Sequence, residues 1–159
     1  MKVEKIYHLA DLHIRNLKRH NEYREVFNKF LERVKNDDIQ NSVIYIAGDI
    51  AHAKTEMSPE LVKEISWFLT ECSKLRETIL ITGNHDCNLN NSSRMDSLTP
   101  IVNALNLKNF YYLKTDPYNF EGLPSSLFDV SYTAVKEYKH PFRQLTDIEI
   151  PPYFNSFFN

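Results

Sequence analysis

Residues 79–86 read Ile-Leu-Ile-Thr-Gly-Asn-His-Asp, a short apolar run followed by a glycine and three polar residues that can bind metal or move protons. The apolar run predicts a buried strand that ends where the polar residues begin. The same pattern occurs in residues 8–13 and, with a second glycine, in residues 44–52. Gly48 and Gly83 fit turns that need a positive φ or a close backbone approach. Three strands ending in Asp, His and Asn indicate one shared site.

Amphipathic helices are predicted between these strands. Apolar residues recur at three- and four-residue steps within 22–34, which is typical of a helix packed on a core. Ser58 is placed as an N-cap with Pro59 at the first helical position, and a second helix follows from there. A short helix is predicted within 95–105 and a further strand at 110–113.

This alternation of strands and helices predicts an α/β fold with a mainly parallel sheet flanked by helices, and it places the site beyond the carboxyl ends of the strands. After residue 114 five prolines interrupt the pattern, and 127–134 is the one further strand that we predict. We therefore expect a single domain over 1–159, with a motif-bearing core at 4–134 and an irregular tail at 135–159. Because its second half looks incomplete, we expect an exposed apolar sheet face and association with a partner.

Composition limits the class of protein. The chain has 159 residues, of which 42% are hydrophobic and 25% charged, as in an ordinary soluble globular domain. A net charge of -2 excludes a broadly basic nucleic-acid-binding surface but allows a local basic patch. The sequence contains no apolar run of about 20 residues and no signal peptide, so we expect an intracellular protein without a membrane segment. Two cysteines, Cys72 and Cys87, favour neither a disulfide framework nor a structural zinc site.

The three loops offer a consistent set of metal ligands. Asp11, His13, Asp49 and Asn84 supply carboxylate, imidazole and amide donors, which suit Mn²⁺, Fe, Zn²⁺ or Mg²⁺ rather than copper(I). An Asp between two cations can bridge them, and such a pair can activate a water and neutralise a phosphate. Each motif alone is more often a turn, a cap or a solvated loop. Their ordered occurrence after three apolar strands favours a metal site that cleaves phosphate esters.

These residues carry a family resemblance. Asp11-x-His13, Gly48-Asp49 and Gly83-Asn84-His85-Asp86 resemble the first three signature motifs of the calcineurin-like metallophosphoesterases. The resemblance implies the N-terminal part of a layered α/β sandwich with a dinuclear metal centre. Asp11 and His13 would bind the first metal, Asp49 would bridge both and Asn84 would bind the second. His85 would be the proton donor or transition-state stabiliser, and the cofactors would be two divalent ions, Mn²⁺ first with Mg²⁺, Fe or Zn²⁺ as alternatives.

His52 narrows the resemblance. Protein phosphatases of this superfamily carry Asp three residues after the bridging Asp, whereas the SbcD-type double-strand-break repair nucleases carry His, as this chain does. By resemblance His52 would orient His85 or help to place a DNA strand, and the alternative is a loop histidine with no role. The resemblance also implies DNA as a partner, together with a homodimer or an ATPase-type repair partner. Arg15, Lys18 and Arg19 begin a basic segment beside His13 that could hold a nucleic-acid backbone, although such a segment is often only a solvated face.

Two later motifs of the family, Gly-His and Gly-His-x-His, are absent from these 159 residues, and His140 is the only histidine after Asp86. The second metal would keep only Asp49 and Asn84, so its binding is in doubt. We therefore keep three explanations: a fragment completed by a second polypeptide, a remnant, or a truncated gene product. A non-catalytic interaction module is the rival to a nuclease, and a protein or small-molecule phosphatase is disfavoured by His52.

Overall fold

A computed structural model describes the protein over residues 4–53, 55–87 and 94–113. Strands and helices alternate along this part of the chain: β1 Lys5–Leu9, α1 His20–Lys35, β2 Ser42–Ile46, α2 Pro59–Leu75, β3 Glu77–Ile81, α3 Thr99–Leu105 and β4 Phe110–Leu113. The four strands form one parallel sheet in the order β1-β2-β3-β4. The predicted α/β class with a parallel sheet and flanking helices is confirmed. The strand predicted at 127–134 and the predicted tail lie outside the described residues.

The helices pack on one face of the sheet. Tyr7, Ile44 and Thr78 are aligned in register on this face, and Tyr7 and Ile44 belong to one hydrophobic core with residues of all three helices. Phe27 of α1 and Phe68 of α2 stack at the centre of that core, with ring centroids 4.0 Å apart. Burial of apolar side chains is the main favourable term for such a helix layer, and the aromatic contact adds to it.

On the second face, Val43 and Ile79 are fully buried. These two positions therefore do not form the exposed apolar surface that the sequence predicted there. The first strand is not fully buried as its apolar pattern predicted, because in β1 His8 is exposed and only Tyr7 is buried. The reason is topological, because β1 lies at the end of the strand order and pairs with β2 alone among the described strands.

The predicted helix boundaries agree with the structure except at α3. Ser58 caps α2 as expected, since its Oγ accepts a hydrogen bond of 3.2 Å from the Leu61 N–H. Helix α3 begins at Thr99 and not at residue 95. The Asp96 carboxylate accepts the N–H groups of Leu98 and Thr99, at 3.0 and 2.7 Å. It satisfies donors that the first turn leaves free, so the helix starts after it.

Side-chain contacts hold the amino end of the sheet together. The Arg76 guanidinium donates to Ser42 Oγ at 2.8 Å and to the carbonyls of Val34 and Asp37 at 3.3 and 3.1 Å. It thereby joins the end of α1 to the start of β2. The Asp37 carboxylate accepts from the Lys5 ammonium and the Tyr7 hydroxyl, and these contacts hold the pKa of Asp37 well below its ordinary value.

Candidate metal centre

The loops after β1 and β2 run side by side at the carboxyl end of the sheet. The His13 N–H donates to the Asp49 carbonyl at 2.9 Å, and the Ile14 N–H donates to the Ile50 carbonyl at 2.8 Å. Ile14 also forms a parallel bridge with Ala51, and its side chain is fully buried. This short pairing extends the sheet beyond its strands, so that His13 and Asp49 are brought together by main-chain hydrogen bonds.

The buried Asp86 carboxylate joins the loop after β3 to this pair. It accepts four main-chain N–H groups: from Asp49 at 2.7 Å, Gly83 at 2.9 Å, Ile50 at 3.1 Å and Ala51 at 3.3 Å. Desolvation raises the pKa of Asp86 to about 6, and the nearby Asp49 carboxylate adds to the rise, whereas the N–H donors lower it. Asp86 is thus the residue that fixes the turn after β3 against the turn after β2.

Both glycines are required by close contact between these two turns. Gly48 has φ +82, and a side chain there would overlap the main chain of Gly83. A Cβ at Gly83 would overlap Asp49 Oδ1 and the Asp49 main-chain nitrogen. The sequence-based role of Gly48 and Gly83 is confirmed. Asp11, His13 and Asp49 also have positive φ, from 45 to 54, which is uncommon for residues other than glycine and is frequent at functional sites.

Three side chains converge at this edge to form a donor group. One ligand atom each from His13, Asp49 and His85 lies within 4.8 Å of the other two. His13 Nδ1 is buried and has no hydrogen-bond partner among the described residues, and a cation would satisfy an uncompensated nitrogen of this kind. The His13 imidazole and the Asp49 carboxylate suit Mn²⁺, Fe or Zn²⁺ as ligands, and the His85 imidazole lies beside them. The residues present therefore fit a divalent transition metal.

His85 is oriented by two hydrogen bonds. Its main-chain N–H donates to Asp49 Oδ1 at 2.7 Å, and its Nδ1 lies 2.8 Å from the carbonyl oxygen of His52. Because a carbonyl only accepts, Nδ1 must carry the proton in this contact, which leaves Nε2 as the ring nitrogen available to a ligand or substrate. The partner of His85 Nδ1 is the main-chain carbonyl of His52, so the His52 side chain is not needed for this hydrogen bond.

The three imidazoles form one cluster. The ring of His52 lies 5.5 Å from that of His13 and 6.0 Å from that of His85, measured between centroids, and the His13 and His85 rings are 4.6 Å apart. His52 is exposed, whereas His13 and His85 are half-buried. His52 thus lies at the solvent side of the donor group, where a bound molecule would meet it first.

The other two predicted ligands lie beside the donor group. Asp11 Oδ1 is 3.6 Å from His13 Nε2, and the Asp11 side chain is 42% exposed. Asn84 is exposed and precedes His85 in the turn after β3. The group of three converging donors contains His85, which the resemblance implies as an acid, and it does not contain Asp11.

The predicted basic residues differ from one another in the structure. Arg15, Lys18 and Arg19 are all exposed. Arg19 is paired with Glu22, whereas Arg15 and Lys18 make no ion pair within the described residues. Farther along the segment, Arg24 is paired with Glu64 at 2.6 Å and joins α1 to α2, so its role there is structural.

Sequence reasoning missed the importance of Asp86. It followed His85 in the quoted motif and was given no role, although its carboxylate ties the turns after β2 and β3 together. A signal was available, because an Asp three residues after a glycine can turn back and accept main-chain N–H groups. The Tyr23 hydroxyl, which donates to the His13 carbonyl at 2.9 Å, was also missed, since helix periodicity indicated only a core residue.

Comparison with known proteins agrees with this geometry. Residues 4–153 match the sequence profile of the calcineurin-like phosphoesterase family. The chain is also similar to an uncharacterised protein of Acanthamoeba polyphaga mimivirus, with 40% identity over 161 residues. That alignment covers 95% of this chain and 12% of the viral protein. Within the described residues, no helix is both long enough and apolar enough to span a membrane.

Proposed function

The chain belongs to the calcineurin-like phosphoesterase family, and we propose that it is a nuclease-type member that hydrolyses phosphodiester bonds of DNA. The observation that carries the proposal is the convergence of His13, Asp49 and His85, whose ligand atoms lie within 4.8 Å of one another. We assign Asp11, His13, Asp49 and Asn84 to a dinuclear centre and propose Mn²⁺ as its metal. Divalent ions there would neutralise phosphate charge and activate a water for attack.

The chain's own residues would then position the substrate and move a proton. His85 Nε2 is left available because Nδ1 is bound by the His52 carbonyl, so a protonated His85 can donate to the leaving oxygen or to the phosphate. Asp49 Oδ1 holds the main chain of His85. A substrate phosphate held by Asp49-bound metal would therefore meet His85 in a fixed place.

Placement of the phosphodiester is assigned to His52. Its exposed imidazole near the rings of His13 and His85 can donate a hydrogen bond to a phosphodiester oxygen. A carboxylate at this position would add negative charge next to an anionic substrate and would repel it.

Activity is tested with fluorescent single- and double-stranded oligonucleotides, with Mn²⁺ and with EDTA. We expect Mn²⁺-dependent cleavage that Asp49→Asn lowers at least about 100-fold, because the central carboxylate is lost. Asp38→Asn serves as the control, since Asp38 is exposed and lies at the other end of the sheet. Cleavage by Asp49→Asn at the rate of Asp38→Asn would contradict the assignment.

Substrate class is tested on two chromogenic esters, bis-p-nitrophenyl phosphate and p-nitrophenyl phosphate. His52→Asp should lower hydrolysis of the diester about tenfold through charge repulsion, and hydrolysis of the dianionic monoester at least as much, whereas His52→Gln should lower the diester rate less. Diester hydrolysis by His52→Asp at the wild-type rate would show that His52 does not contact the substrate, even if the metal-dependent activity itself is found.

A further inference from the structure

Leu17 is held in a conformation that its own packing does not explain. It is 66% exposed and has φ +55. This left-handed region is unfavourable for leucine, because the Cβ approaches the following carbonyl. Exposed large hydrophobic side chains in the described residues are Leu17, Val26 and Met95, and of these only Leu17 has a positive φ.

The loop that carries Leu17 is fixed on both sides by hydrogen bonds. Before it, the Arg15 carbonyl contacts His20 Nε2 at 2.8 Å and Asn16 Oδ1 accepts the Ser58 N–H at 3.0 Å. The Tyr23 hydroxyl holds the His13 carbonyl. The main chain that carries Leu17 is therefore held in place four residues after His13.

The charges next to Leu17 favour an anionic partner. Arg15 and Lys18 are exposed and make no ion pair within the described residues, whereas Arg19 is neutralised by Glu22. Cations bind phosphates without reading sequence. An apolar side chain set among them can contact an unstacked base, as leucine wedges do in nucleic-acid-binding proteins.

We propose that Leu17 contacts an unpaired nucleobase at a DNA end while Arg15 and Lys18 bind the adjoining phosphates, so that the enzyme prefers frayed or single-stranded ends. The proposal rests on the proposed function, because it needs DNA to enter the site beside His13. Backbone contacts give affinity for any DNA, and the Leu17 contact adds affinity only where a base is unstacked.

The test compares two exposed aliphatic residues. Leu17→Asn and Val26→Asn are measured by fluorescence anisotropy on a forked duplex and a fully paired blunt duplex, with EDTA present to prevent cleavage. We expect Leu17→Asn to weaken binding of the forked duplex about three- to tenfold and of the blunt duplex less than about twofold. Val26→Asn should change neither, because Val26 lies on α1 away from the loop.

A thermal melt distinguishes this role from a structural one. Asn tolerates a positive φ, so Leu17→Asn should raise the melting temperature by about 2–4 °C while it weakens binding. A lower melting temperature would show that Leu17 supports the fold and would overturn the proposal. Equal binding by Leu17→Asn and Val26→Asn would overturn it as well, as would a change in sedimentation without a change in DNA binding.

These experiments distinguish a failure of the Leu17 proposal from a failure of the proposed catalytic function. If the wild-type chain binds no DNA, the Leu17 proposal is overturned, while hydrolysis of bis-p-nitrophenyl phosphate still reports on the phosphoesterase. If DNA is bound with the expected preference and no diester is cleaved, the Leu17 proposal stands and the catalytic assignment fails.

Discussion

The two ends of the parallel sheet are closed in different ways. At the amino end, Arg76 and Asp37 bridge neighbouring segments through side chains, and their polar atoms have partners. At the carboxyl end, the turns after β2 and β3 touch through Gly48 and Gly83, and Asp86 binds their main-chain N–H groups. This second arrangement leaves side chains available for chemistry, among them that of His13, whose Nδ1 has no hydrogen-bond partner in the part of the chain that the structure describes.

The difference shows how one sheet separates stability from function. Side-chain bridges at the amino end can be exchanged with little effect on a site at the opposite end. Main-chain contacts at the carboxyl end admit almost no substitution, because a single added methyl group meets backbone atoms. Substitutions at the carboxyl end should therefore affect both stability and metal binding, and those at the amino end stability alone.

Gly83→Ala is expected to have the largest effect. Its new methyl group overlaps Asp49 Oδ1 and the Asp49 main chain, and we expect destabilisation of about 2–4 kcal/mol. Urea unfolding measures this loss, and titration calorimetry with Mn²⁺ should show affinity lowered at least about tenfold. If a folded Gly83→Ala protein bound Mn²⁺ with wild-type affinity, stability and metal binding would not be linked at this end of the sheet.

Arg76→Gln should cost less and should leave the metal centre intact. It removes donors to Ser42 Oγ and to two carbonyls near the end of α1, a loss of about 1–3 kcal/mol. The free energy of unfolding should fall accordingly, whereas the Mn²⁺ affinity should stay within about twofold. Weakened metal binding here would mean that the two ends of the sheet are coupled.

The smallest expected effect is a change in how the stability of the protein depends on pH. The pKa of Asp37 is lowered by the Lys5 ammonium, and next by the Tyr7 hydroxyl and the Ile39 N–H. A lowered folded-state pKa gives stability that is present above the unfolded pKa of about 3.9 and is lost as pH falls further. Asp37→Asn should therefore flatten the fall of the urea midpoint below about pH 4, and Asp38→Asn should not. Identical acid profiles for both variants would contradict this.

Most of the fold could be predicted from the sequence, because apolar residues recur in it with the spacing of buried strands and amphipathic helices. The helix cap at Ser58 and the turn glycine Gly48 could also be predicted, because each meets a local requirement of the main chain, an acceptor for a free N–H or a positive φ. Exposure of His8 was not predictable, because strand order decides which strand lies at the edge.

The sequence indicated which residues share one edge of the sheet, but it did not indicate how they contact one another. Three ordered motifs indicated that His13, Asp49 and His85 share one edge, and the structure brings them together. Long-range contacts such as Arg24 with Glu64, or Asp86 with the loop after β2, join residues more than 30 positions apart. No local sequence pattern predicts such long-range contacts. The basic segment that begins at Arg15 was therefore predicted as a binding surface, although Arg24 in it has a structural role.

The four hydrogen bonds of Asp86 also have a consequence for the protein without metal. They hold the two turns in place by internal contacts that need no cation. Loading and stripping the ion should then leave the far-ultraviolet circular dichroism spectrum unchanged, unlike a zinc finger, which unfolds when its metal is removed. Because this site is preformed, little of the free energy of metal binding is needed to order the chain, and metal exchange can proceed without refolding.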